Sequence, residues 1–128
     1  MRPFEDAVAS ELAELLRAGV PTRGIHITVR EMVVTRMERG RLGAREVSDA
    51  TEEAVRAACR LVRELGAPAE LVEIVGRSTL EAVRGHGGES ARWLPEATIV
   101  VHAVLEELAT ERPDEITWRW LAQRAARW

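Results

Sequence analysis

Chemistry in this chain would have to come from few residues: His26, His86 and His102, a single cysteine, Cys59, and the serines at 10, 48, 78 and 90. Metal sites favour close spacings such as HExxH or CxxC, and neither occurs. The di-iron bundle pattern needs Glu three residues before His, but those positions hold Arg23, Val83 and Ile99. No metal or other cofactor is expected. No serine lies in a GxSxG elbow, and Cys59 sits within Ala57-Ala58-Cys59-Arg60-Leu61, which reads as the interior of a helix and makes the thiol a small core residue. Adjacent carboxylates such as Glu52-Glu53 and Glu106-Glu107 point about 100° apart on a helix, which suits solvated faces better than paired acid–base work.

His102 stands among Val100, Val101, Ala103 and Val104, so it reads as a partly buried imidazole bonded to a carbonyl or to Glu106 one turn on. A ligand pocket near His102 and Trp93 is the competing use. His86 lies in Arg84-Gly85-His86-Gly87-Gly88-Glu89, where backbone amides and a cation could close on an anion; without a P-loop pattern or a preceding strand, a turn between helices is the simpler reading.

Charge is uneven although the net value is only −3. From Arg23 to Arg45 six arginines face two acids, Glu31 and Glu38, a local balance of +4. Arg30, Arg36, Arg39 and Arg41 are the candidate contacts to an anion or to nucleic acid, and a short helix, a glycine turn and a second helix are compatible with helix-turn-helix geometry. Against this, Arg30, Arg36 and Arg39 could pair with the acids of Glu46 to Glu53 and of the first helix, in this chain or in a partner. The chain has no lysine, tyrosine or asparagine, so every one of its 18 basic residues is arginine. A coding bias explains that number without any functional demand.

The C-terminal run from Thr117 to Trp128 holds three of the four tryptophans. Trp118, Leu121, Ala125 and Trp128 form one stripe at intervals of three, four and three; Trp120, Arg124 and Arg127 lie on another face. Tryptophan and arginine are enriched at interface hot spots, which makes Trp118, Trp120, Leu121, Arg124 and Trp128 the candidate interaction residues. An aromatic and cationic helix can also lie on an anionic membrane, but Glu111, Asp114 and Glu115 just upstream weaken that use.

These residues must be carried by helices. Phe4, Val8, Leu12, Leu15 and Leu16 mark a first helix over 3–18, opened by Pro3 and closed by Gly19 and Pro21. Residues 25–38 read as a second, although Ile25 to Val29 alternate as an edge strand would. A third carries Ala54, Ala58, Leu61, Val62 and Leu65 and stops at Gly66; it starts at the Asp49–Glu52 capping box or as early as Ala44. Pro68 opens a fourth that runs to Gly85. Ser90 or Pro95 opens a fifth, whose density of apolar residues from Ile99 to Leu108 predicts a central, well-buried helix, with a strand over 97–104 as the competing form. A sixth runs from about 114 to the end.

The expectation is therefore an all-α fold, a compact bundle of five or six short amphipathic helices in one domain over 1–128, with consecutive helices packed antiparallel. No apolar run approaches the length of a membrane span, and a cytoplasmic location is the default. The function expected is a non-enzymatic helical interaction or oligomerisation module, its partner a second copy or another protein. A nucleic-acid-binding or regulatory protein using residues 23–45 is the alternative. A small-ligand-binding or catalytic helical protein with a pocket near His102 is the second alternative.

Overall fold

Helix ends fall where proline and glycine dictate. Pro3 opens α1 (Pro3–Arg17), and Gly19, with φ +69°, turns the chain after it. Pro21 precedes α2 (Thr22–Glu38). Gly66, with φ +67°, ends α3 (Ala44–Leu65), where the Ala67 amide donates to the Leu61 carbonyl at 3.2 Å. There follow α4 (Glu70–Gly85), a single 3₁₀ turn (Ser90–Trp93), α5 (Leu94–Glu111) and α6 (Ile116–Ala125). The computed structural model describes residues 2–39, 43–85 and 90–128, and among them there is no strand. The protein is an all-α bundle.

Both segments with strand-like character are helical, for one reason. In α2, Ile25, Val29, Val33 and Met37 recur every fourth residue and bury a single stripe, while Thr28 turns its hydroxyl back to the Gly24 carbonyl at 2.9 Å. In α5, Ala97, Val101, Val104, Leu105 and Leu108 do the same. The expectation that α5 is the central helix is corrected: Ile99 is 67% exposed. The centre is shared by α3, which packs on α1, α2, α4 and α5, and α4, which packs on α2, α3, α5 and α6. In α3, the small buried residues Ala50, Ala54, Ala57, Ala58 and Cys59 let four neighbours approach closely.

The Asp49–Glu52 capping box is not used as a cap. Because α3 begins at Ala44, Asp49 lies inside the helix, within 4.0 Å of Arg45, and Glu52 accepts from Arg56 and pairs with Arg2. Likewise α4 starts at Glu70 rather than at Pro68, and α6 stops at Ala125, so that residues 126–128 turn back.

Packing order also departs from a simple up-and-down bundle. The most extensive pairings are α2 with α4 and α1 with α3, helices two apart in sequence. Contacts between α2 and α4 advance together, His26 lying against Ser78 and Arg30 against Gly85, so these two helices run in the same sense. Their shared seam forms one wall of the molecule.

Candidate functional site

Along that seam lies an open groove of about 940 Å³. Thr22, Arg23 and His26 of α2 line one side; Glu70, Glu73, Ile74, Arg77, Leu80, Glu81 and Arg84 of α4 line the other, and Arg127 and Trp128 close an end from the turn after α6. Helical spacing explains the α4 wall, since residues 77 and 84, seven apart, fall on one line of the helix.

Charge in the groove is less balanced than its residue list implies. Glu73 is held by Arg124, whose guanidinium reaches both carboxylate oxygens at 2.9 and 3.0 Å. Glu81 meets His26 at 2.8 Å and Arg30 at 3.8 Å. Arg23, Arg77, Arg84 and Arg127 form no ion pair among the described residues, and all four are exposed. Among the described residues, the groove thus holds four guanidiniums without an ion pair and a single acid, Glu70, without one.

His26, Ser78 and Glu81 form a linked set, with Ser78 Oγ 2.8 Å from His26 Nδ1 and Glu81 Oε2 2.8 Å from Nε2. The residue types are those of a hydrolytic triad, but the geometry is not. The Ser78 hydroxyl donates to the Ile74 carbonyl at 2.6 Å, and the residue is fully buried in the middle of α4. A helix interior leaves no free backbone amide to hold an oxyanion, and a buried hydroxyl reaches no substrate. With the serine proton committed, both ring nitrogens face acceptors. The set acts as a brace that joins α2 to α4 and fixes the floor of the groove.

The other end of the groove is fixed by Trp128. Its ring lies over Gly76, where a methyl group would come within 2.7 Å of Cε3 and nearer still to Cζ3, and its indole N–H donates to Glu73 at 3.0 Å. Gly76 is thus required by close approach rather than by backbone conformation. Glu73 accepts from both Arg124 and Trp128, tying α6 and the following turn to α4.

The residues singled out by sequence are dispersed. Arg30 points to α4 and pairs with Glu81, whereas Arg36 lies over the Phe4 ring of α1, 6.0 Å from its centroid, and lines a second groove of about 430 Å³ with Arg39. The basic segment is split over two sides of α2. Among the described residues, Arg30, Arg36 and Arg39 form no ion pair with Glu46 to Glu53, whereas Arg45 lies within 4.0 Å of Asp49. Arg41, Gly40 and the loop around His86 lie outside the described residues. His102 is half-buried on α5, makes no hydrogen bond to Glu106 and lines neither groove. On α6, Trp118 and Leu121 are 1% and 0% exposed within the chain's own core, and Trp118 donates to Glu115 at 3.2 Å. Trp120 is exposed and carries the Arg124 guanidinium 4.8 Å from its ring centroid. Cys59 is buried, and burial pushes its thiol up to about 12, which leaves it unreactive as a nucleophile.

Sequence reading took Arg84 only as the cation of the His86 loop and Arg127 only as part of the second face of the last helix, did not single out Arg23 as a contact, and missed Arg77. The seven-residue spacing of Arg77 and Arg84 was available, but only the pairing of α2 with α4 brings the four together. Among the described residues no cluster of three or more His, Cys, Asp or Glu could hold a metal ion, and no helix is long and apolar enough to cross a membrane. No protein-family model, curated protein or solved structure matches this chain.

Proposed function

We propose that this protein is a non-enzymatic helical interaction module whose working surface is the α2–α4 groove, where an anionic segment of a partner binds. The supporting observation is the convergence of Arg23, Arg77, Arg84 and Arg127, all without ion pairs among the described residues, on one groove in which Glu73 and Glu81 already pair with Arg124 and Arg30. Arginine left exposed and unpaired beside apolar surface such as Ile74 and Trp128 is the composition of a contact patch. On the outer face of α6, Ile116, 79% exposed, and Trp120 stand one turn apart and support a second contact, between copies of the chain.

Polyglutamate tests the groove. Titrated into the protein at low ionic strength and followed by tryptophan fluorescence, it is expected to bind saturably and to weaken as salt shortens the screening length toward about 10 Å. Arg77→Glu combined with Arg84→Glu should remove the binding while leaving the helical signal unchanged. Absence of binding even at low salt, or binding indifferent to the double substitution, overturns the proposal.

A further inference from the structure

We infer that the segment received by this groove is an amphipathic helix bearing two carboxylates seven residues apart, laid along α4. The inference rests on the reading of the groove as a partner surface and adds the form of the partner. Arg77 and Arg84 lie two turns apart on one line of α4, which places their backbone positions about 10 Å apart along the axis. A helix repeats a side-chain direction at that same interval, so carboxylates at i and i+7 of a helix running beside α4 stand opposite both arginines. An extended strand covers about 10 Å in three residues, but its first and fourth side chains point to opposite faces, so it can satisfy only one arginine from a given side.

The remaining lining agrees. The groove is the furrow between two helices running in the same sense, the form of seat that accepts a third helix. Ile74 and Trp128 offer apolar surface at the Arg77 end, Arg127 adds a cation at that same closed end, and Arg23 adds one on the α2 side. A polyanion of uniform charge would meet Glu70, which has no ion pair among the described residues, as well as the arginines. A helix with acids at chosen positions avoids it.

The experiment uses a fluorescein-labelled, side-chain-stapled helical peptide with Glu at i and i+7 and leucines between them, read by anisotropy against the full chain. Its comparator has the same composition with the second Glu moved to i+5, on the far face. The i,i+7 peptide is expected to bind at least about fivefold more tightly than the comparator, and Arg77→Glu with Arg84→Glu to weaken it by about tenfold. A peptide with Arg at both positions should in turn prefer the doubly substituted protein. Equal binding of the two acidic peptides overturns the helix inference, and the groove reading then stands or falls on polyglutamate alone. A labelled single-stranded oligonucleotide that binds more tightly than the i,i+7 peptide, in a manner abolished by the same substitutions, overturns the inference in favour of nucleic acid.

Discussion

Two sides of this bundle use the same cation in opposite ways. Where α1, α3 and α5 meet, Arg56 donates to Glu52 at 2.8 Å and to Glu107, Arg2 reaches Glu52 at 3.1 Å, and Arg60 holds Glu5 and Asp6 at 3.2 and 2.7 Å. Where α2 and α4 meet, Arg30 pairs with Glu81 and Arg124 with Glu73, but Arg23, Arg77, Arg84 and Arg127 form no ion pair among the described residues. A coding bias toward arginine can account for how many there are. It does not account for one side having its arginines paired and the other keeping four of them without an ion pair among the described residues, because that division depends on which helices face each other. The paired side secures the fold; the other is the surface proposed for a partner.

The largest effect that would break this comparison comes from the wall of the groove. Gly76→Ala forces a methyl against the Trp128 ring, and the expected loss is about 1–3 kcal/mol in urea unfolding, despite the better helix propensity of alanine. With Trp128→Ala already present the same substitution should become stabilising by about 0.5–1 kcal/mol. A destabilisation that persists without Trp128 would show that Gly76 serves something other than the ring.

A smaller effect sharpens the contrast between the two sets of arginines. Arg56→Ala should cost about 1 kcal/mol, discounted for its partial exposure, because it leaves Glu107 unpaired and Glu52 with Arg2 alone. Arg77→Ala should be neutral within about 0.5 kcal/mol. Equal losses in paired thermal melts would mean that Arg77 has a structural partner after all.

The smallest effect is a dependence on pH. Burial alone would raise the Glu52 carboxyl, but hydrogen bonds from Arg56 and Arg2, with their charges, outweigh it and hold the group below its ordinary value of 4.5. A carboxyl depressed in the folded state contributes stability that is complete above 4.5 and is lost as pH falls through the lower folded value. Glu52→Gln should therefore flatten the fall in stability between about pH 5 and about pH 3, by an amount below about 1 kcal/mol for so accessible a pair. Parallel falls in both proteins would remove Glu52 from the account.

How much of this was legible in the sequence varies with the range of the interaction. The helix stripes, the proline and glycine ends and the two faces of α6 follow from local periodicity, and Ile25 to Val29 fell correctly to helix because Met32, Val33 and Met37 continued the spacing. The centrality of α5 was misread because apolar density does not say which residues find neighbours: Ile99 is apolar and exposed, whereas Ala54 and Ala57 are small and wholly enclosed. The basic segment was read as one surface, yet Arg30 and Arg36, six residues apart on a helix, point in directions about 120° apart and meet different helices.

The sequence by itself determined a helical chain, because the recurrence of apolar residues every three or four positions and the placement of Pro3, Gly19, Pro21 and Gly66 are properties of one segment at a time. Tertiary structure alone decided the groove. Its four arginines come from residues 23, 77, 84 and 127, and only the pairing of helices two apart, with the last turn pressed onto Gly76, brings them to one place. Such pairing depends on how side chains from distant segments fill a shared core, which no local spacing records.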